Sequence, residues 1–209
     1  MIGKKLLLPT LVVAVIVIAT FLLLPGLEAY FTDLLEGSRQ HPGTYALLSG
    51  LVLCSDILLP VPSSIVMYTN GYVLGIGGGA ALSMLAVMVS SLIGYGLGRF
   101  TSYGLRSADD AEAKSMIGRY GPLAILITRG IPILAESVTI VAAYNRMPLR
   151  PFLLLHLLGY LPVVLLYAAC GSYGYNEQTF LLTFGASLLV AAGFWLIGRR
   201  ISGFYSTHN

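Results

Sequence analysis

Three ionisable residues stand where apolar sequence is broken by proline. Asp56 precedes LPVPSS at 59–64, and Arg129 and Glu136 flank Pro132 in ITRGIPILAESVTIVAAYN at 127–145. A charge at membrane depth costs at least about 2.5–3.5 kcal/mol on insertion scales, so it marks a functional site by default. Two carboxylates could bind and release protons there beside one guanidinium, or the group could hold a charged head group. The plainer role for Arg129 is an ion pair that ties the two broken segments together. Ser63 and Ser64 bring hydroxyls and backbone N–H groups to the start of a helix, an end that attracts anions. With Thr69 they could equally cap backbone groups freed by the break. Pro60, Pro62 and Pro132 shape the breaks, since proline removes a backbone donor and interrupts a helix. Asn70 and Asn145 read as turn residues ending the two segments. His156 lies in an apolar run and could relay protons or hydrogen-bond to a neighbouring helix. Arg146 and Arg150 form a short basic turn that anchors an interface and could attract anionic head groups.

These residues need elements that hold them inside a bilayer. The chain of 209 residues is 56% hydrophobic and 10% charged, with mean hydropathy +0.83. A soluble domain carries about 25% charged residues, so an integral membrane protein is expected. Leu6 to Leu24 is long enough to span and follows Lys4 and Lys5; no small-x-small cleavage site follows it, which argues against a signal peptide. Residues 26–43 are polar and read as a loop. Residues 44–74 hold the first broken segment, and GIGGGAA at 75–81 reads as a turn leading into a helix. The helix at 77–100 is rich in Gly, Ala and Ser, which let helices approach closely; its small faces could pack within one chain or between two copies. A charged surface helix is expected at 101–119, the second broken segment at 120–145, and further spans at 151–173 and 179–198. Cys54 and Cys170 read as small buried residues. No phosphate loop, zinc spacing or nucleophile elbow is present in the sequence, so neither enzymatic activity nor a metal or cofactor is expected.

Charge decides between topologies. If both broken segments cross the membrane, six basic residues fall inside and five outside. If both are re-entrant hairpins, Lys4, Lys5, Arg99, Arg106, Lys114, Arg119, Arg146, Arg150, Arg199 and Arg200 fall inside and only Arg39 outside. The second arrangement satisfies the positive-inside rule. The expected fold is therefore all-α: about four transmembrane helices plus two oppositely oriented re-entrant helical hairpins, an inverted repeat with both termini cytoplasmic. The repeat pairs residues 45–100 with 120–174, helped by Ile-Gly-Tyr at 93–95 and Leu-Gly-Tyr at 158–160. The expected organisation is a transmembrane helix and loop at 1–43, a core at 44–175, and a last helix with a short tail at 176–209.

LPVPSS at 59–64, YGLGRF at 95–100, RYGPLAILITRGIP at 119–132 and RMPLRPFLLLHLLGY at 146–160 resemble the DedA family, the bacterial branch of the VTT-domain membrane proteins. The resemblance covers about 44–175 and implies two facing re-entrant hairpins in a bacterial inner membrane. It implies lipid movement between leaflets, of phospholipids or polyprenyl phosphates, in several members dependent on the proton gradient. The family's acidic position matches Asp56, and the first arginine of its second hairpin matches Arg129. The usual second arginine falls at Ala135, beside Glu136, which marks a divergent subgroup.

The expectation is a flippase- or scramblase-like lipid transporter whose partners are membrane lipids and protons, not nucleic acid. The alternatives are a proton-coupled transporter of a small ion or solute, and a membrane assembly factor that transports nothing.

Overall fold

The computed structural model describes residues 33, 40–59, 61–104, 125–126, 132–174 and 177–206. Side chains are described for all of these except 101–104, 132–134, 136–137, 177, 194–195 and 197–206. The span expected at 6–24, most of the loop after it, nearly all of the charged stretch at 101–119, Pro60, Arg129 and the side chain of Glu136 lie outside the described residues. Those that are described form five helices and no strand: α1 Pro42–Ser55, α2 Ser63–Gly104, α3 Pro132–Tyr144, α4 Leu149–Ser172 and α5 Glu177–Ser206.

Proline and glycine set the boundaries. Pro42 opens α1, where its missing N–H is no loss. Pro60 and Pro62 follow α1 and bias Leu59 and Val61 away from helix, and α2 starts at Ser63, directly after Pro62. Pro148 holds an extended φ −61°, ψ 143° just before α4. Within α2, Gly75 has φ 71° and ψ 177°, so α2 is two helical segments joined at one residue. That backbone region is essentially open to glycine alone. The turn read in GIGGGAA at 75–81 is thus found at its first residue.

The two segments of α2 run antiparallel. A side-chain carbon on Gly79 would lie 2.6 Å from the Asn70 carbonyl, so the segments touch backbone to backbone. α1 lies alongside both. Tyr45 Oη donates to Asn70 Oδ1 at 2.9 Å, and Asn70 Nδ2 donates to Ser83 Oγ at 2.9 Å. Tyr45, Asn70 and Ser83 are fully buried, and one amide bonds α1 to both segments of α2. Cys54 Sγ approaches the Ala86 carbonyl at 3.7 Å further along. α1 and the first segment of α2 therefore form a helical hairpin whose tip is 56–62, laid against the second segment.

At 1.5 Å per residue, α1 is about 21 Å long and the first segment of α2 about 18 Å. The second segment reaches about 43 Å and α4 about 36 Å. The core around Tyr45, Leu53, Val66, Tyr68, Val87, Val164 and Tyr167 joins the hairpin to both long helices.

Two further contacts place the rest. α3 packs on the far half of α2, where a side chain on Gly98 would strike Ile140 and Ala143. α4 turns back after Asn145–Pro148 and crosses the first segment of α2 so closely that Gly71 meets Ala168 and Gly171 meets Tyr68, backbone to backbone. Small residues permit this approach, as expected for helices packed in lipid.

Asn70 departs from its expected turn role. It lies inside a helix, and its amide is a buried cross-link. Asn145 does sit at the turn after α3, where Nδ2 donates to the Val141 carbonyl at 2.8 Å. Tyr95 and Tyr160 are also out of register: Tyr95 packs near the end of α2, donating to the Met147 carbonyl, whereas Tyr160 lies mid-way along α4.

Candidate functional site

Asp56 caps α1 at the hairpin tip, in helical conformation with its N–H on the Leu53 carbonyl. Only 8% of the residue is exposed. The Ser63 hydroxyl and the Val61 N–H approach its carboxylate from the start of α2. Its Oδ1 is buried and has no hydrogen-bond partner among the described residues. An unmet acceptor in a buried site is costly, and no described side chain meets this oxygen. The reason it sits here is local. Apolar α1 carries it inward, and the two prolines stop the helix before the next turn could cover it.

Ser63 and Ser64 have separate roles. Ser63 faces Asp56, while Ser64 reaches the phenol of Tyr167 on α4. Tyr167 Oη also lies 3.4 Å from Ser187 Oγ on α5. Thr69 back-bonds to the Ile65 carbonyl at 2.8 Å within its own helix. Pro62 stands beside Ser63 at the break.

The opposite side of the tip meets α3. A side-chain carbon on Gly94 would lie 3.0 Å from both Ile57 and Thr139. Thr139 in turn bonds His156 on α4 at 3.0 Å. His156 is fully buried and does hydrogen-bond to a neighbouring helix, one of its two expected roles. Ile57, next to Asp56, and Thr139, which bonds His156, thus meet at one spot of α2. Pro132 is the first residue of α3. Glu136 falls in the next turn of that helix, but its side chain and all of Arg129 lie outside the described residues, so whether the three expected charges share one cavity rests on sequence alone.

Arg146 and Arg150 are exposed in the turn and first residues between α3 and α4. Arg99 lies 5.8 Å from the ring of Tyr95, whose hydroxyl bonds Met147. Three arginines therefore gather at one end of the helices. Arg146 holds φ 60°, a left-handed conformation at the tight reversal.

Sequence reading missed Tyr45, Ser83, Thr139 and Tyr167. Each is a polar side chain in an apolar run, which was signal enough to suspect a buried partner but not to name it. No group of three or more metal-ligating side chains occurs among the described residues.

The VTT domain family is represented by a sequence model that matches residues 61–173, more than half of the chain. The chain belongs to the VTT-domain family, that of the DedA proteins. VTT-domain proteins are membrane proteins, and the composition agrees. Apolar helix long enough to cross a bilayer occurs within Ser63–Phe100, where the second segment of α2 supplies the length, and in α4. Large apolar side chains face outward along their length, among them Leu85, Leu92, Leu154 and Leu158. The match begins at Val61, so Asp56 and α1 precede the matched stretch. No curated protein and no solved structure matches the chain.

Proposed function

We propose that this VTT-domain protein moves lipids between the leaflets of a bacterial inner membrane, with Asp56 as the group that meets the polar cargo or its coupling proton. The observation that carries the reading is the buried Oδ1 of Asp56, which no described residue meets, at the tip of a short hairpin. Each arm of that hairpin is about 18–21 Å, short of the roughly 30 Å hydrocarbon core. The helix it lies against is longer than the core. An arm of that length brings Asp56 to mid-membrane and returns to the side it came from. Irregular backbone at that depth is tolerated where it faces protein or a wet cavity.

The placement of charge supports the same disposition. Arg99 lies at the end of α2 that meets Arg146 and Arg150. If the hairpin is re-entrant, all three reach the cytoplasmic surface, as the positive-inside rule requires. Four spans, a second hairpin formed with α3, and cytoplasmic termini follow from that rule. In this reading the protein carries its substrate unchanged. Its partners are membrane lipids and protons, and further copies of the chain could pack through small-residue faces.

The test is flipping of head-group-labelled lipids in proteoliposomes, with and without a proton gradient. Wild type should flip phospholipids or polyprenyl phosphates, and Asp56→Asn should lose this while keeping its helical content and thermal transition. Equal flipping by Asp56→Asn, or none by well-folded wild type with either lipid class, would overturn the reading. Gradient-driven uptake of a small solute by the same protein would replace it.

A further inference from the structure

The transport reading leaves His156 without a task, although it is titratable and fully buried. Its ring is held at both nitrogens. Nδ1 lies 2.8 Å from the Phe152 carbonyl oxygen, and Nε2 lies 3.0 Å from Thr139 Oγ1. A carbonyl oxygen only accepts, so Nδ1 carries a hydrogen. Thr139 also reaches the Ala135 carbonyl at 2.7 Å. A hydroxyl has one hydrogen to give. While it points at Ala135, Thr139 can only accept from Nε2, and Nε2 must carry a hydrogen as well. The doubly protonated ring therefore satisfies every one of these contacts at once. In the neutral ring the hydroxyl turns to donate to Nε2 and leaves Ala135. One rotation of one hydroxyl serves both protonation states.

Two aromatic rings flank the imidazole. Phe152 lies 3.9 Å from the imidazole, centroid to centroid, tilted by 33°, and Tyr160 lies at 6.3 Å. Aromatic faces attract positive charge. Charged and titratable groups lie on several of the elements around His156. Asp56 stands beyond Ile57 at the hairpin tip. Tyr95 of α2 lies 4.8 Å from the Phe152 ring, with Arg99 next to it. Tyr160 is on α4 itself. On α3, Glu136 precedes Thr139 by one turn, its side chain outside the described residues.

We infer that His156, with Thr139 as its hydroxyl partner, is a second proton-binding site of this protein, its ligand the proton itself. Its use in transport rests on the proton-coupled reading above. Gly94 supplies the link, since Ile57 beside Asp56 and Thr139 beside His156 both rest on that glycine. Gaining a proton swings the Thr139 hydroxyl from α4 to the first turn of α3, directly after Pro132. A proton taken up on one helix thus changes the bonding of the next.

The test is nitrogen NMR of the full chain, labelled at histidine, in lipid nanodiscs between pH 8.5 and 5. Three histidines give three sets of signals, and His156→Gln identifies the one that matters. The expected result is a neutral ring protonated at Nδ1 at high pH and a ring protonated at both nitrogens at low pH. Thr139→Val should weaken proton affinity about tenfold, a shift of about one pH unit, and Thr139→Ser should restore it. In the flipping assay Thr139→Val should move the pH of half-maximal flux by a similar amount. A single neutral tautomer throughout in folded wild type, or an unchanged titration in Thr139→Val, would overturn the inference. Titration as expected in a protein that flips no lipid would uphold the proton site and remove the transport reading instead.

Discussion

Replacing Asn70 with alanine removes a side chain that ties three helical segments together. It accepts from Tyr45 and donates to Ser83, both at 2.9 Å and both buried. Hydrogen bonds of this kind contribute about 0.6–1.5 kcal/mol each, whether the scale comes from soluble proteins or from helices in lipid. Losing both should cost about 1–3 kcal/mol, and the vacated volume adds to that. The double-mutant cycle with Ser83→Ala isolates the Asn70–Ser83 bond from the rest. Its coupling energy should be about 0.5–1.5 kcal/mol, because the residues share one contact. The assay is reversible unfolding in mixed micelles, followed by far-ultraviolet circular dichroism for each single variant and the pair. A coupling below about 0.3 kcal/mol would refute the reasoning, since distant, independent sites add to within about that margin.

Three other outcomes are expected. Gly171→Leu would push a side chain into the Tyr68 carbonyl at the crossing of α4 and α2; it should lower the unfolding midpoint markedly, whereas Gly185→Leu, with open space around it, should leave it nearly unchanged. Gly75→Ala keeps the space but not the backbone freedom, and should destabilise by about 1–3 kcal/mol in the same assay. Ser63→Ala removes the hydroxyl that faces Asp56, so it should impair lipid flipping less than Asp56→Asn does; equal impairment would mean that the serine, not the carboxylate, meets the cargo.

Local chemistry was legible in the sequence, and distant pairing was not. Pro62 and Gly75 act on their own backbone, so the break before α2 and the turn within GIGGGAA could be placed from the residues. Asp56 was legible for the same reason, as a carboxylate at a proline break in apolar sequence. Asn70 was misread because an asparagine before a glycine ordinarily signals a turn. What holds it in a helix is a tyrosine and a serine far away in the chain, and no local pattern reports them. Thr139 was silent because a threonine in an apolar run back-bonds to its own helix as readily as it meets another. Its partner His156 was noticed by its type, but its protonation logic needs the distances to Phe152 and Ala135. The small residues of α2 announced close packing without saying which glycine meets which helix. That choice depends on crossing angles that composition does not encode.

The reversal of α2 on a single residue has a consequence for how the chain can vary. A helix turns about 100° per residue. Adding or deleting one residue near Gly75 would rotate the whole second segment by that angle against the first. Gly79 would leave Asn70, Ser83 would leave the amide it bonds, and Gly94 and Gly98 would turn away from Thr139 and Ala143 together. No loop stands between the segments to absorb the slip. Chain length between the hairpin tip and the end of α2 is therefore under tighter constraint than residue identity. Outward-facing positions such as Leu85 and Leu92 can drift among apolar types, while insertions and deletions are confined to the ends of the unit.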